Sequence, residues 1–244
     1  MRWKVELSYL GTNYAGWQRQ PGDLTVQQVL EESFSTILRQ PIELIGCGRT
    51  DTGVHARNYV AHFDADQLDA TKTVYHVNAI LPTDIAIHSL NPVSPDFHAR
   101  YDATERVYKY YLHFEKDPFL NTTSYYFHQA HALNRHALQE SASLLTQYDQ
   151  FKPFCKTGSD ADHYKCVLME SSWMVNEQQA IFTIRANRFL RGMVRLIVGA
   201  SLNAAIDKIT IGEIKKSMEE QSPMPHAWSV PAHGLFLENV VYKK

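Results

Sequence analysis

The sequence predicts an α/β fold of the α+β type, laid out as two halves, residues 1–100 and 101–244, in which strands alternate with helices. Three observations point to it. Trp3, Val5, Leu7 and Tyr9 alternate with Lys4, Glu6 and Ser8, the two-residue period of a half-buried strand. Helix starts are marked by capping boxes at Thr25 and Thr210, and Asn134 opens a further amphipathic helix. After residue 100 the same style of strand and amphipathic helix begins again, although no residue-level repeat joins the halves. With 244 residues, 44% of them hydrophobic, the chain is long enough for one large domain or two small ones with real cores.

The first strand leads into a Gly-rich, aromatic loop, GTNYAGWQRQPGD. A helix then starts at Thr25, where Thr25 and Gln28 read as a capping box and Leu24 with Val29 as a hydrophobic staple. Val26, Val29, Leu30, Phe34, Ile37 and Leu38 form its core stripe. Strand-like runs at 42–47 and 59–63 flank a loop, followed by a helix near 71–80 and a strand near 85–90. In the second half a strand from Val107 places Tyr108, Tyr110 and Leu112 on one face and Lys109, Tyr111 and His113 on the other. Asn134 opens a helix with Ala137, Leu138, Ala142 and Leu145 on one stripe, and the polar run TGSDADHY, 157–164, reads as a mobile loop. An alternating strand, 181–187, precedes a deeply packed helix on which Leu190, Met193, Val194, Ile197, Val198 and Leu202 recur at helical spacing. Arg188, Arg191 and Arg195 make a basic line on or near that helix. Thr210 and Glu213 form a second capping box, prolines at 223 and 225 break the chain, and HGLFLENVVY is the last strand.

Several function classes are disfavoured. No apolar run approaches the roughly 20 residues that span a bilayer, and the alternating N-terminus is unlike a signal peptide, so a cytoplasmic location is expected. Cys47, Cys155 and Cys166 are odd in number and lack CxxC spacing, which indicates neither a disulfide framework nor a zinc site. His128, His131 and His136 cluster without acidic or thiol partners at ligand spacing, so no metal is expected. A formal net charge of -2 means that any polyanion must be met by a local patch.

The most informative stretch is GRTDTGVHA, Gly48 to Ala56, which sets one carboxylate, Asp51, among two glycines, two threonines, an arginine and a histidine. Flanking strands would hold its tip, as they commonly hold catalytic side chains. Glycines 46, 48 and 53 would permit positive φ and close approach of a planar group. Arg49, two residues from Asp51, would share its side of an extended backbone and keep the carboxylate ionised. The plainer reading is a polar turn whose aspartate caps backbone amides. A second stretch, FHARYDATERVYKYYL, interleaves aromatics with Arg100, Arg106 and Lys109, a combination suited to unstacked bases and phosphates.

GRTDTGVHA closely resembles the GRTDxGVHA signature of the tRNA pseudouridine synthase A family, with Thr52 where the family usually has alanine. SYLGTNYAGWQRQ, FHAR and its following strand, the NxFxxxMVRxIVG pattern within ANRFLRGMVRLIVGASL, and the ending are similar to the same family in the same order. Leu10 stands where the family usually has an aspartate. The resemblance implies two similar halves, each a mainly antiparallel sheet backed by helices, with the active-site cleft between them. It implies isomerisation of uridine to pseudouridine in the anticodon stem-loop of tRNA, at tRNA positions 38 to 40, without cofactor or metal. Asp51 would be the nucleophile, Arg49 would help flip the base, Tyr108 would stack on it, and Arg195 would pair with Asp51. Phe97, His98, Ala99, Arg100 and Tyr101 would contact tRNA, and two chains would form a homodimer around it. The family's segment matching 157–164 is often more basic, whereas this one carries Asp160 and Asp162. Trp17 and Tyr14 read as pins holding their loop to the core in preference to RNA contacts. Two other functions fit less well. A phosphate-accepting aspartate would want Mg²⁺ and a later acidic pair, and a non-catalytic RNA-binding module would not need Asp51.

Overall fold

The structure, a computed structural model, describes residues 1–158 and 162–243. It divides into two units, Met1–Thr104 with Phe236–Lys244, and Glu105–Leu235. Among the described residues are nine strands and five α-helices. No helix among them is long and apolar enough to cross a membrane.

In the first unit β1 (Arg2–Tyr9) runs antiparallel to β3 (His55–Asp64) on one side and to β4 (Ile85–Val93) on the other. Its predicted alternation holds through the whole strand, with Trp3, Val5, Leu7 and Tyr9 buried. Between Leu7 and Tyr9 the register against β3 shifts, from Leu7 opposite Tyr59 to Tyr9 opposite Ala56, just where β3 leaves the Asp51 loop. The last strand, β9 (Leu235–Tyr242), lies parallel to β3 through His55–Phe236 and Ala56–Leu237. Sequence order assigns everything after residue 100 to the second half, but this strand returns to the first unit.

Helix α1 (Val26–Leu38) begins as expected at Thr25, whose hydroxyl accepts from Gln28 N. The Gln28 side chain, however, reaches forward to Glu32, so the box is only half made, and Leu24 is 53% exposed. Val26, Leu30 and Phe34 are buried as predicted, whereas Val29, Ile37 and Leu38 are half-buried. Gln27 and Glu31 are buried in their stead, because both find polar partners: Glu31 accepts from Arg19 Nη1, Gln27 Nε2 and Leu44 N. Those bonds also shorten the predicted strand at 42–47 to β2 (Ile45–Gly46). Ile42 N and Leu44 N donate to the α1 side chains Ser35 and Glu31. α2 (Ala70–Ile80), capped by Asp69, packs against β4.

In the second unit β5 (Ala103–His113), which enters it at Glu105, pairs antiparallel with β8 (Gln179–Ala186), and β8 with β7 (Leu168–Val175). Strand β7 is hidden in the sequence because a bulge between Leu168 and Glu170 breaks its period and Ser171 occupies an inward position. The short β6 (Tyr125–Tyr126) lies parallel to the end of β5. α3 (Arg135–Ser143) starts at Asn134, whose carbonyl side-chain oxygen accepts from His136 N and Ala137 N. α4 (Met193–Ala205) is buried except at Arg195 and Leu196. It starts only after Gly192, whose φ of 70° breaks the helical path, so Arg188, Leu190 and Arg191 sit in the preceding turn and only Arg195 of the basic line is helical. α5 (Ile211–Glu220) has the predicted capping box in both directions. Asp160 lies outside the described residues, while Asp162 is exposed.

Candidate active site

The Asp51 loop is held from below by aromatic rings. Trp17 stacks on Tyr59 with centroids 4.0 Å apart, Tyr9 closes the cluster 5.6 Å from Tyr59, and Trp17 is only 2% exposed. These rings then bond the loop: the Tyr59 hydroxyl donates to Gly48 O, and Tyr9 Oη shares a 2.8 Å hydrogen bond with Thr50 Oγ1. Trp17 N donates to Thr50 O and Gly53 N to Tyr14 O. Trp17 and Tyr14 are therefore the pins that the sequence suggests. Thr50 is buried while Arg49 is exposed and Asp51 half-buried, so the backbone alternation puts Arg49 and Asp51 opposite Thr50.

The loop's glycines differ from expectation. Only Gly53 has positive φ, 78°, within a turn in which Val54 N donates to Asp51 O. Gly46 does admit planar groups, but they are the protein's own: a Cβ there would stand 2.1 Å from Tyr59 Oη and 2.6 Å from Trp17 Nε1. Gly48 has open space on its side-chain side. Two further supports were not evident in the sequence. Gly11 N donates to Nδ1 of the buried His55, and a Cβ at Gly16, with φ of 90°, would stand 2.3 Å from Thr50 O. The signal for both was the glycine-rich loop itself, which must pass close to the Asp51 backbone.

The segment Phe97–Tyr101 is anchored elsewhere on β3, at His62. Its Nδ1 accepts from Ala99 N at 3.1 Å, while Arg2 Nη1 donates to Phe97 O and the Tyr242 hydroxyl to Ala99 O. His62 is buried, and burial, then the charge of Arg2, pushes its pKa down to about 4, so it is a neutral acceptor near pH 7. His98 Nδ1 accepts from Arg100 N and Tyr101 N, tightening the turn. Phe97 and Ala99 are thus anchors, whereas Arg100 is exposed, its guanidinium 5.6 Å from the ring of Tyr101, itself 74% exposed. His62 lies seven residues along β3 from His55, roughly 23 Å at strand rise, so this surface is remote from the Asp51 loop.

In the second unit Tyr108 meets Phe189 edge to face, with centroids 5.1 Å apart. Arg106 Nη1 donates to Asn187 O, fixing the start of the turn before α4. Arg195 Nε donates to Val230 O at 2.7 Å. No group of three His, Cys, Asp or Glu side chains among the described residues is arranged as metal ligands.

The chain thus presents one firmly mounted carboxylate, Asp51, and, apart from it, the exposed Arg100 and Tyr101, and comparison with known proteins gives the family. The sequence profile of tRNA pseudouridine synthase matches twice, over residues 7–102 and 148–243, once for each of two similar halves. The first match contains Asp51 and Phe97–Tyr101, the second contains Arg195, and Tyr108 falls between them. Proteins named tRNA pseudouridine synthase A are similar over almost the whole chain. That of Azobacteroides pseudotrichonymphae is 41% identical, covering 99% of this chain and 96% of the relative. That of Porphyromonas gingivalis is 42% identical, covering 99% and 97%, and that of Bacillus subtilis 34%, covering 99% of each. The chain belongs to the tRNA pseudouridine synthase A family, enzymes that isomerise uridine to pseudouridine.

Proposed function

We propose that the chain converts uridine to pseudouridine in the anticodon stem-loop of tRNA, with Asp51 as nucleophile. The observation that carries this is the mounting of Asp51: a half-buried carboxylate on a loop whose neighbours Gly48, Thr50 and Gly53 are each bonded to the Tyr9–Trp17–Tyr59 platform or the adjoining Tyr14. Asp51 attacks the uridine, the bond from ribose C1′ to N1 breaks, the uracil turns, C5 bonds to C1′, and the bond to Asp51 breaks, which regenerates the carboxylate. The C5 proton is lost and N1 gains one, so atoms balance without redox change or cofactor. The base must first leave the stack, which costs a few kcal/mol. Arg49, exposed beside Asp51, assists that flipping, and Tyr108 stacks on the extruded ring. Stacking strips water from the carboxylate and favours its neutral form; Arg195 opposes this as a permanent positive partner. His98, Arg100 and Tyr101 meet the tRNA away from the reacting base, on the footing that Phe97 and Ala99 provide. We place the enzyme in the cytoplasm and propose that two chains hold one tRNA.

The test is incubation with an unmodified tRNA transcript, without metal or nucleotide, followed by pseudouridine mapping. Modification is expected in the anticodon stem-loop. Asp51→Asn should form none while keeping tRNA affinity within about tenfold, because one neutralised side chain removes chemistry and few backbone contacts. Pseudouridine above a trace in that variant would overturn the nucleophile assignment. Light scattering that finds monomer alone at micromolar concentration would overturn the dimer.

A further inference from the structure

Helix α4 carries a line of three residues one turn apart, Arg195, Gly199 and Asn203, and each meets a backbone carbonyl of the segment 226–231. Arg195 Nε donates to Val230 O at 2.7 Å, Asn203 Nδ2 donates to His226 O at 3.0 Å, and a Cβ on Gly199 would stand 1.9 Å from Trp228 O. The spacings match: four helical residues advance about 6 Å and two extended residues about 6.6 Å. Carbonyls at 226, 228 and 230 therefore fall in step with 203, 199 and 195. At the far end Pro231, which has no N–H to offer, accepts from the Tyr110 hydroxyl at 2.8 Å. Tyr110 is fully buried, and burial pushes its pKa up, so it remains a donor throughout the working range. Gly234 then lies flat on β5, since a Cβ there would stand 2.8 Å from the Tyr110 ring and 2.9 Å from Tyr111 O.

We propose that residues 226–231 are a strap that orients the Arg195 guanidinium, and that Tyr110 and Asn203, which hold its two ends, are positioning residues for the isomerisation. This rests on the reading of Arg195 as the partner of Asp51. A guanidinium can grip a carboxylate side-on, through Nε and one terminal nitrogen, or end-on, through both terminal nitrogens. With Nε held by Val230 O, the end-on pair is the one directed at a carboxylate. The anchoring bond also limits rotation about the last side-chain dihedrals, so the charge is aimed before substrate arrives. Tyr110 follows Tyr108 by two residues on the same face of β5, so one strand carries both the stacking ring and the strap's fastening.

The test is Tyr110→Phe, which removes one hydroxyl and keeps the ring, with Asn203→Ala as a second variant at the other end. Single-turnover rates on a tRNA transcript, tRNA Kd and pH–rate profiles are measured alongside Arg195→Met and Tyr110→Phe/Arg195→Met. Tyr110→Phe is expected to slow the single turnover about tenfold at neutral pH, with Kd changed less than about threefold, because a misaimed group costs rate more than binding. Its acid limb should move to higher pH, and it should cost nothing further in the Arg195→Met background. A wild-type rate and profile for both single strap variants, with Arg195→Met impaired, overturns the strap. A slowed Tyr110→Phe whose pH profile is unmoved, or whose cost persists without Arg195, also overturns it by making the hydroxyl merely structural. A normal rate for Arg195→Met instead overturns the pairing with Asp51, and the strap's proposed role with it.

Discussion

Replacing Gly11 by alanine tests whether the position of the Asp51 backbone governs turnover. The new Cβ would lie 2.0 Å from Val54 O and 2.7 Å from Val54 C, and both are backbone atoms that cannot swing aside. Reaching even a tight 3.0 Å contact with the oxygen requires a shift of about 1 Å. Gly11 is poorly placed to provide it, since its N–H is bonded to buried His55 and Leu10 N to Asp84 O. The shift then falls on Val54, whose N–H donates to Asp51 O, so the displacement passes to the Asp51 turn. A misplacement of about 1 Å costs on the order of 100-fold in rate. Overpacking of this kind costs roughly 1–3 kcal/mol, which in a chain of this size lowers Tm by about 2–12 °C. Single-turnover kinetics on a tRNA transcript and a thermal melt read the two effects. Gly48→Ala is the control, because nothing lies within 4 Å of its Cβ position, and its Tm should be unchanged. A Gly11→Ala rate within about threefold of wild type at unchanged Tm would refute the reasoning.

Arg195→Met should leave a folded protein that binds tRNA but turns over slowly at neutral pH, with activity rising as pH is raised; lysine should restore only part, since it lacks the planar fork. His62 binds its proton less readily folded than unfolded, with a pKa of about 4 against 6.5, so the stability it contributes is present above 6.5 and is lost as pH falls toward 4. Melts of His62→Gln, whose amide oxygen can accept from Ala99 N, should show a shallower loss over that window than wild type, and parallel curves would refute the assignment. Affinity for tRNA should fall steeply with salt despite the net charge of -2, because local cations meet the phosphates; a flat titration would contradict this.

Much of this was legible in the sequence because it depends on side-chain period and capping chemistry. β1, the cap of α1, α2, the Asn134 helix and both halves of the Thr210–Glu213 box follow from such signals. What escaped depends on backbone groups and on contacts distant in sequence. Gln27 and Glu31 lie outside the apolar stripe, and their burial depends on distant partners, Leu44 O for Gln27 and Leu44 N with the Arg19 side chain for Glu31. Arg188 and Arg191 read only as on or near the helix, because spacing cannot show that Gly192 turns left-handed before α4 begins. Phe97 and Ala99 belong to the same short motif as Arg100 and Tyr101, and only burial separates anchors from exposed surface. The strap was invisible for a related reason: what Arg195, Gly199 and Asn203 recognise is carbonyl oxygen, which every residue has.

The return of β9 to β3 sets an order of events during synthesis. His55, four residues beyond Asp51, finds its strand neighbour Phe236 at a separation of 181 positions (236 minus 55). Everything in Glu105–Leu235 is translated between the two. The usual sequence, in which the N-terminal unit folds first, is therefore inverted for the final step: the second unit is contiguous and can complete itself on emerging, while the first waits for its last strand. Closing so long a loop is slow, which makes the docking of β9 a natural late step in folding. A nascent chain thus acquires the flank of its Asp51 loop only after α4 has been made.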